Sequence, residues 1–142
     1  MNFLAKLLLG NGTLKPEMKA GLESEGLVLV EEGLTGWIRY EHFKMPGRRF
    51  NGKVTGERVG IGISEKRVVV YCKSGRVKLV NSLYSNPHLD MVDVSLDGDD
   101  KVVFRIDYDR SGQEKVSGVI QISAKTPNAP TIVDELRTRL GR

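Results

Sequence analysis

The stretch from Val92 to Ile122 constrains the fold more than any other part of the chain. Val92, Val94 and Leu96 alternate with Asp93, Ser95 and Asp97. Beyond Gly98-Asp99-Asp100, Val102, Phe104, Ile106 and Tyr108 alternate with Val103, Arg105 and Asp107. Beyond Asp109-Arg110-Ser111-Gly112, Val116, Gly118, Ile120 and Ile122 form a third segment. Successive strand residues point to opposite faces, so a period of two predicts strands with one dry and one wet face. The Gly- and Asp-rich junctions are turn chemistry. Three short strands on tight turns make an antiparallel meander.

The same chemistry extends upstream. Leu27 to Val30 reads as a short apolar strand, Gly33 as a turn, and Trp37 to Phe43 as a β-prone segment. Met45-Pro46-Gly47-Arg48-Arg49 and Asn51-Gly52 read as loops. Val59, Ile61 and Ile63 alternate with Gly60, Gly62 and Ser64. Glu65-Lys66 turns the chain into Val68 to Cys72, and Ser74-Gly75 into a strand marked by Val77 and Leu79. Asn86-Pro87-His88 reads as a loop.

Both ends read as helical. Phe3, Leu4, Leu7 and Leu8 share one side of a helical turn that Gly10-Asn11-Gly12 breaks. Thr13 starts a second short helix through Gly21 or Leu22, with Leu14, Met18 and Leu22 as its stripe. Near the other end, Thr126-Pro127-Asn128-Ala129-Pro130 is a helix start. Ile132, Val133, Leu136 and Leu140 then form one apolar face, with Gly141 as the stop. Asp134 and Glu135 come early and Arg137, Arg139 and Arg142 late, an order that suits the helix dipole. Burying the four apolar residues is worth about 1.5–3 kcal/mol each as an upper figure. The expected architecture is α+β: a curved antiparallel sheet or open barrel of seven or eight strands, closed by the C-terminal helix. Residues 1–24 form a helical extension and residues 25–142 a single domain.

Composition narrows the class. Aromatics are 6% of 142 residues, so the core is mainly aliphatic. Cys72 is the sole cysteine, which rules out an intrachain disulfide framework. It ends an apolar strand and reads as a core thiol. No run approaches the about 20 apolar residues of a membrane-spanning helix. The expected location is the cytoplasm, with peripheral attachment to the membrane as a further expectation.

Charge is unevenly spread. From Arg39 to Val80, eleven basic residues face three acidic ones and give +8, while each flank carries −2. Such a block attracts anionic partners through its summed field. Lys44, Arg48, Arg49 and Lys53 sit in Gly- and Pro-rich sequence, where guanidinium forks can grip phosphate or simply face water. Arg58, Lys66 and Arg67 complete the candidate anion- or partner-binding set, the last two read as a charged turn. Asp97 to Asp100 is rich in carboxylates but lacks the spacing of a calcium loop. His42 and His88 stand far apart with no ligand pair nearby, so no metal or cofactor is expected. No nucleophile elbow or phosphate-cradling Gly-Lys motif occurs, and the expectation is a protein that is not an enzyme. Nucleic acid is not the expected partner: Tyr40, Phe43, Phe50 and Tyr71 are the aromatics near the charges, and two of them read as core.

The order of strands and terminal helix resembles the pleckstrin-homology (PH) superfold over roughly Glu25 to Arg142. The stretch from Val59 to Tyr71 is similar to a hairpin of bacterial PH-like and GRAM-like domains. There an apolar strand ends in Thr or Ser, a Lys-Arg pair turns the chain, and a second apolar strand follows. Ser64, Lys66 and Arg67 take those positions. Thr126 to Leu140 lacks the Trp of eukaryotic members, and Lys44, Arg48 and Arg49 lack the spacing of inositide-binding ones. The resemblance implies a non-enzymatic binding or scaffold module, and the +8 segment points its basic surface to an anionic membrane or an acidic protein. Some bacterial members form rings or trimers, which implies a self-assembling homo-oligomer as the alternative. A weak nucleic-acid binder is the second alternative.

Overall fold

The computed structural model describes residues 16–72, 77–112 and 115–142. The helical turn expected at Phe3 to Leu8, the Thr13 cap and the Ser74-Gly75 turn lie outside these residues.

One curled antiparallel sheet organises them. Its strands are β1 (Leu27–Met45), β2 (Arg48–Phe50), β3 (Val54–Ser64), β4 (Arg67–Cys72), β5 (Val77–Leu83), β6 (Val92–Asp97), β7 (Lys101–Asp107) and β8 (Ser117–Lys125). Seven run in the order β5-β4-β3-β1-β8-β7-β6, and β2 pairs off this path with the end of β1. β1 therefore joins two meanders, β3-β4-β5 and β8-β7-β6. The curl makes a half-barrel. The meander expected between Val92 and Ile122 is present, with Val92 opposite Ile106 and Phe104 opposite Ile122.

Alternation decides which residues enter the core. Ile38, Val59, Ile61, Ile63, Val68, Val70, Val102, Phe104, Ile106, Ile120 and Ile122 are buried on the concave side. Helix α2 (Ala129–Leu140) closes it, burying Ala129, Ile132, Val133 and Leu136. The residue before its first turn is held locally: the Asn128 N–H donates to Thr126 Oγ1 at 3.1 Å. Gly141, at φ 72°, ends the helix, and the Arg142 N–H closes on the Arg137 carbonyl at 2.8 Å. The Arg142 guanidinium then donates to the Leu89 carbonyl at 2.6 Å and to the Val92 carbonyl.

Helix α1 (Pro16–Ser24) covers part of the opposite face. Leu22, 1% exposed, packs there with Val69 and Tyr71. Gly60 opposes Tyr71 and Gly62 opposes Val69, so two residues without side chains flank this second cluster. The Glu25 carboxylate accepts from Ser64 Oγ at 3.1 Å and from Arg67 Nε at 3.2 Å, fixing the end of α1 to the β3–β4 turn.

Three expectations change. Gly33 does not turn the chain back: β1 runs through it as one strand, and the register slips between Glu31 and Leu34 in a bulge where Gly33 takes φ 65°. Arg48 and Arg49 are not loop residues, because Pro46-Gly47 makes a two-residue turn and the chain pairs back as β2. Asp134 and Glu135 do not come early: α2 starts at Ala129, so they sit at mid-helix, and Glu135 meets Arg139 at 3.4 Å, one helical turn on.

Candidate anion-binding site

The β1–β2 hairpin gathers part of the basic set. Pro46 presets its own φ and Gly47 accepts φ 79°, the pair of demands that a reversal of this kind makes. Lys44 then opposes Arg49, and Met45 opposes Arg48. Lys44, Met45, Pro46, Gly47, Arg48, Arg49 and Lys115 line one open groove of about 690 Å³. Lys44 and Arg49 also line an adjoining groove of about 540 Å³ with His42, Phe43, Phe50, Asn51 and Ser117. Among the described residues, no carboxylate forms an ion pair with Lys44, Arg48, Arg49 or Lys115.

The root of the hairpin is packed against the core. His42, at φ 48°, sits in a β-bulge where the register against β8 slips between Glu41 and Lys44. Its N–H donates to Asn51 Oδ1 at 3.3 Å. The slip returns Phe43 to the core side, where it is buried. Tyr40 packs against Phe43 and Phe50 with centroids 5.7 and 5.0 Å apart, and Phe43 meets Tyr108 at 5.6 Å. These rings tie the cationic tip to the core. Burial pushes the Tyr40 phenol above its ordinary pKa, Cys72 and Glu57 add to the rise, and Arg48 opposes it. Beyond the bulge, the Tyr40 N–H donates to the Lys53 carbonyl at 2.9 Å and the Gly52 N–H to the Tyr40 carbonyl at 2.8 Å.

The other candidate residues lie elsewhere. Lys53 places Nζ 4.5 Å from the centre of the Phe50 ring, beside the hairpin rather than in its groove. Arg58 stands on β3 and donates from Nη1 to Thr35 Oγ1 at 2.5 Å. Lys66 is an exposed turn residue at the far end of β1 from the hairpin, since Ser64 opposes Leu27. Arg67 opens β4 half-buried, held by Glu25 and by Asn81 Oδ1 at 2.9 Å. Its fork is already occupied.

Two groove residues escaped the sequence reading. Lys115 comes beside Lys44 only because β8 pairs with β1, placing Ser117 opposite Lys44. Met45, 38% exposed, ends β1 beside the cations instead of standing in a loop. Among the described residues there is no group of three His, Cys, Asp or Glu able to hold a metal ion. None of the described helices is long and apolar enough to cross a membrane. No family model, curated protein or solved structure matches the chain.

Proposed function

We propose that the protein is a non-enzymatic, PH-like binding module that attaches to an anionic membrane surface through the β1–β2 hairpin. One observation carries the reading: Lys44, Arg48, Arg49 and Lys115 converge on one open groove around the exposed Met45. Cations beside a protruding apolar side chain match an interface where lipid phosphates lie over hydrocarbon. The open, shallow groove suits a charged surface better than an enclosed small molecule. The half-barrel closed by a C-terminal helix fits a PH-like α+β plan.

Co-sedimentation with zwitterionic and with anionic vesicles across a salt series tests it. Binding is expected to anionic vesicles alone and to fade as salt rises. Each basic residue near an anionic surface contributes about 1 kcal/mol, so Arg48→Ala with Arg49→Ala weakens binding on the order of thirtyfold. Undiminished binding by that folded double variant sinks the assignment.

A second reading, self-association, is favoured by the outer edge of β5, which among the described strands pairs with β4 alone and ends in the exposed Leu83. A sedimentation coefficient independent of protein concentration at the monomer value excludes it.

A further inference from the structure

The outer face of the sheet carries a second arrangement that membrane attachment does not use. Register places Trp37 of β1 opposite Gly56 on β3 and Ser123 on β8. Opposed residues share a face, so the indole stands between two small neighbours. Trp37 stays 37% exposed. Lys101 of β7 sets Nζ over the face of its ring, 5.6 Å from the centre, a place that a stacking base would take from it. Arg39, two residues along β1, lies on the same face. These three line a groove of about 190 Å³ with Gln121, Ser123 and Asp97.

Charge and ring together select the occupant. Among the described residues, neither Arg39 nor Lys101 forms an ion pair. The acids nearby are mostly engaged: Arg105 holds Glu41 at 3.4 Å and Arg110 holds Asp93 at 3.0 Å, which leaves Asp97 as the groove's carboxylate. A free phosphate would use the cations and ignore the indole. An uncharged ring would do the reverse. A nucleotide chain brings a flat π-face and a phosphate at every step, and so uses both.

We propose that this groove binds single-stranded nucleic acid, with one base stacked on Trp37 and the adjoining phosphates against Arg39 and Lys101. The site is separate from the hairpin and does not depend on its function.

Trp37 is the chain's single tryptophan, so its emission reads the site directly. The full chain is titrated at low salt with a short mixed-sequence single-stranded oligodeoxynucleotide, and separately with tripolyphosphate. Saturable quenching by the oligonucleotide is expected, weakening as salt rises and persisting when Arg48 and Arg49 are both alanine. Tripolyphosphate should leave the emission unchanged. With a labelled oligonucleotide, Trp37→Ala should weaken binding on the order of tenfold to a hundredfold. Arg39→Ala and Gln121→Glu, both outside the core, should each weaken it several-fold and keep the test decisive should Trp37→Ala fail to fold. Four results overturn the proposal: no quenching, an equal response to tripolyphosphate, quenching lost with the hairpin arginines, or emission that tracks protein concentration alone because a second copy covers the face.

Discussion

Gly118 bears on both the stability of the half-barrel and the position of its basic hairpin. It sits at φ 89°, where a side chain is strained, and its N–H donates to Asp109 Oδ1 at 3.0 Å. A Cβ placed there would lie 2.3 Å from the His42 carbonyl oxygen, 2.5 Å from its carbon and 2.7 Å from the Phe43 Cα. All three are backbone atoms of the bulge, and none can swing aside as a side chain would. Strain in the left-handed region costs about 1–3 kcal/mol. Forcing an extra carbon into a packed site costs about 1–3 kcal/mol more. Gly118→Ala is therefore expected to lose about 2–6 kcal/mol. At roughly 2–4 °C per kcal/mol for a domain of this size, Tm falls on the order of 10 °C. Urea titration followed by far-UV circular dichroism should show a lower midpoint at unchanged slope. Gly56→Ala is the control, since its Cβ would meet nothing within 4 Å and needs no positive φ. That variant should be neutral or gain up to about 1 kcal/mol. A loss below about 1 kcal/mol for Gly118→Ala, or equal losses for the two variants, would refute the steric reasoning. The folded Gly118→Ala protein should also bind anionic vesicles more weakly, because the bulge that aims Lys44 has to move.

Two further predictions concern phenols, one half-buried and one buried. Burial pushes Tyr84 up to about 12, and its hydroxyl shares its one proton between the Ser64 carbonyl at 2.8 Å and the Arg67 carbonyl at 2.9 Å. Between pH 10 and 12 the unfolded chain gives up this proton first, so stability falls as pH rises, by up to about 2 kcal/mol after allowance for the water that still reaches the ring. Urea midpoints at pH 9 to 12 should drop more steeply for the parent than for Tyr84→Phe, and parallel curves would contradict the assignment. Tyr71 is fully buried, and its hydroxyl has no hydrogen-bond partner among the described residues. Tyr71→Phe removes an unsatisfied polar group without changing shape, so it should gain up to about 2 kcal/mol; a clear loss in the same titration would reveal a partner for that hydroxyl.

Much of the fold was legible in the residues. Period-two alternation marked the Val92 to Ile122 strands because one face is dry and the other wet, and Ile132, Val133 and Leu136 marked the buried face of α2. β1 was harder. Two of its register slips, at Glu31 to Leu34 and at Glu41 to Lys44, break the alternation, so one long strand reads as two separated by a turn. The basic set was legible as charge but not as a site. Grouping by sequence put Arg67 with Arg49, yet the two sit near opposite ends of β1. Lys115 and Trp37 acquire their neighbours only through the pairing of β1 with β8 and of β8 with β7. A residue's own neighbourhood in the chain holds no record of that pairing.

The central place of β1 also fixes an order of assembly. During synthesis β3, β4 and β5 follow soon after β1 and can pair in sequence. The other edge of β1, from Thr35 to Lys44, is matched among the described strands by β8, the last of the eight in chain order. Until Lys125 has left the ribosome, that edge is an open ladder of backbone donors and acceptors. Long-range pairing of this kind is slow, because the intervening chain must be ordered before the contact forms. A truncated or stalled chain ending before Ser117 would keep the edge unmatched and offer it to a neighbouring copy.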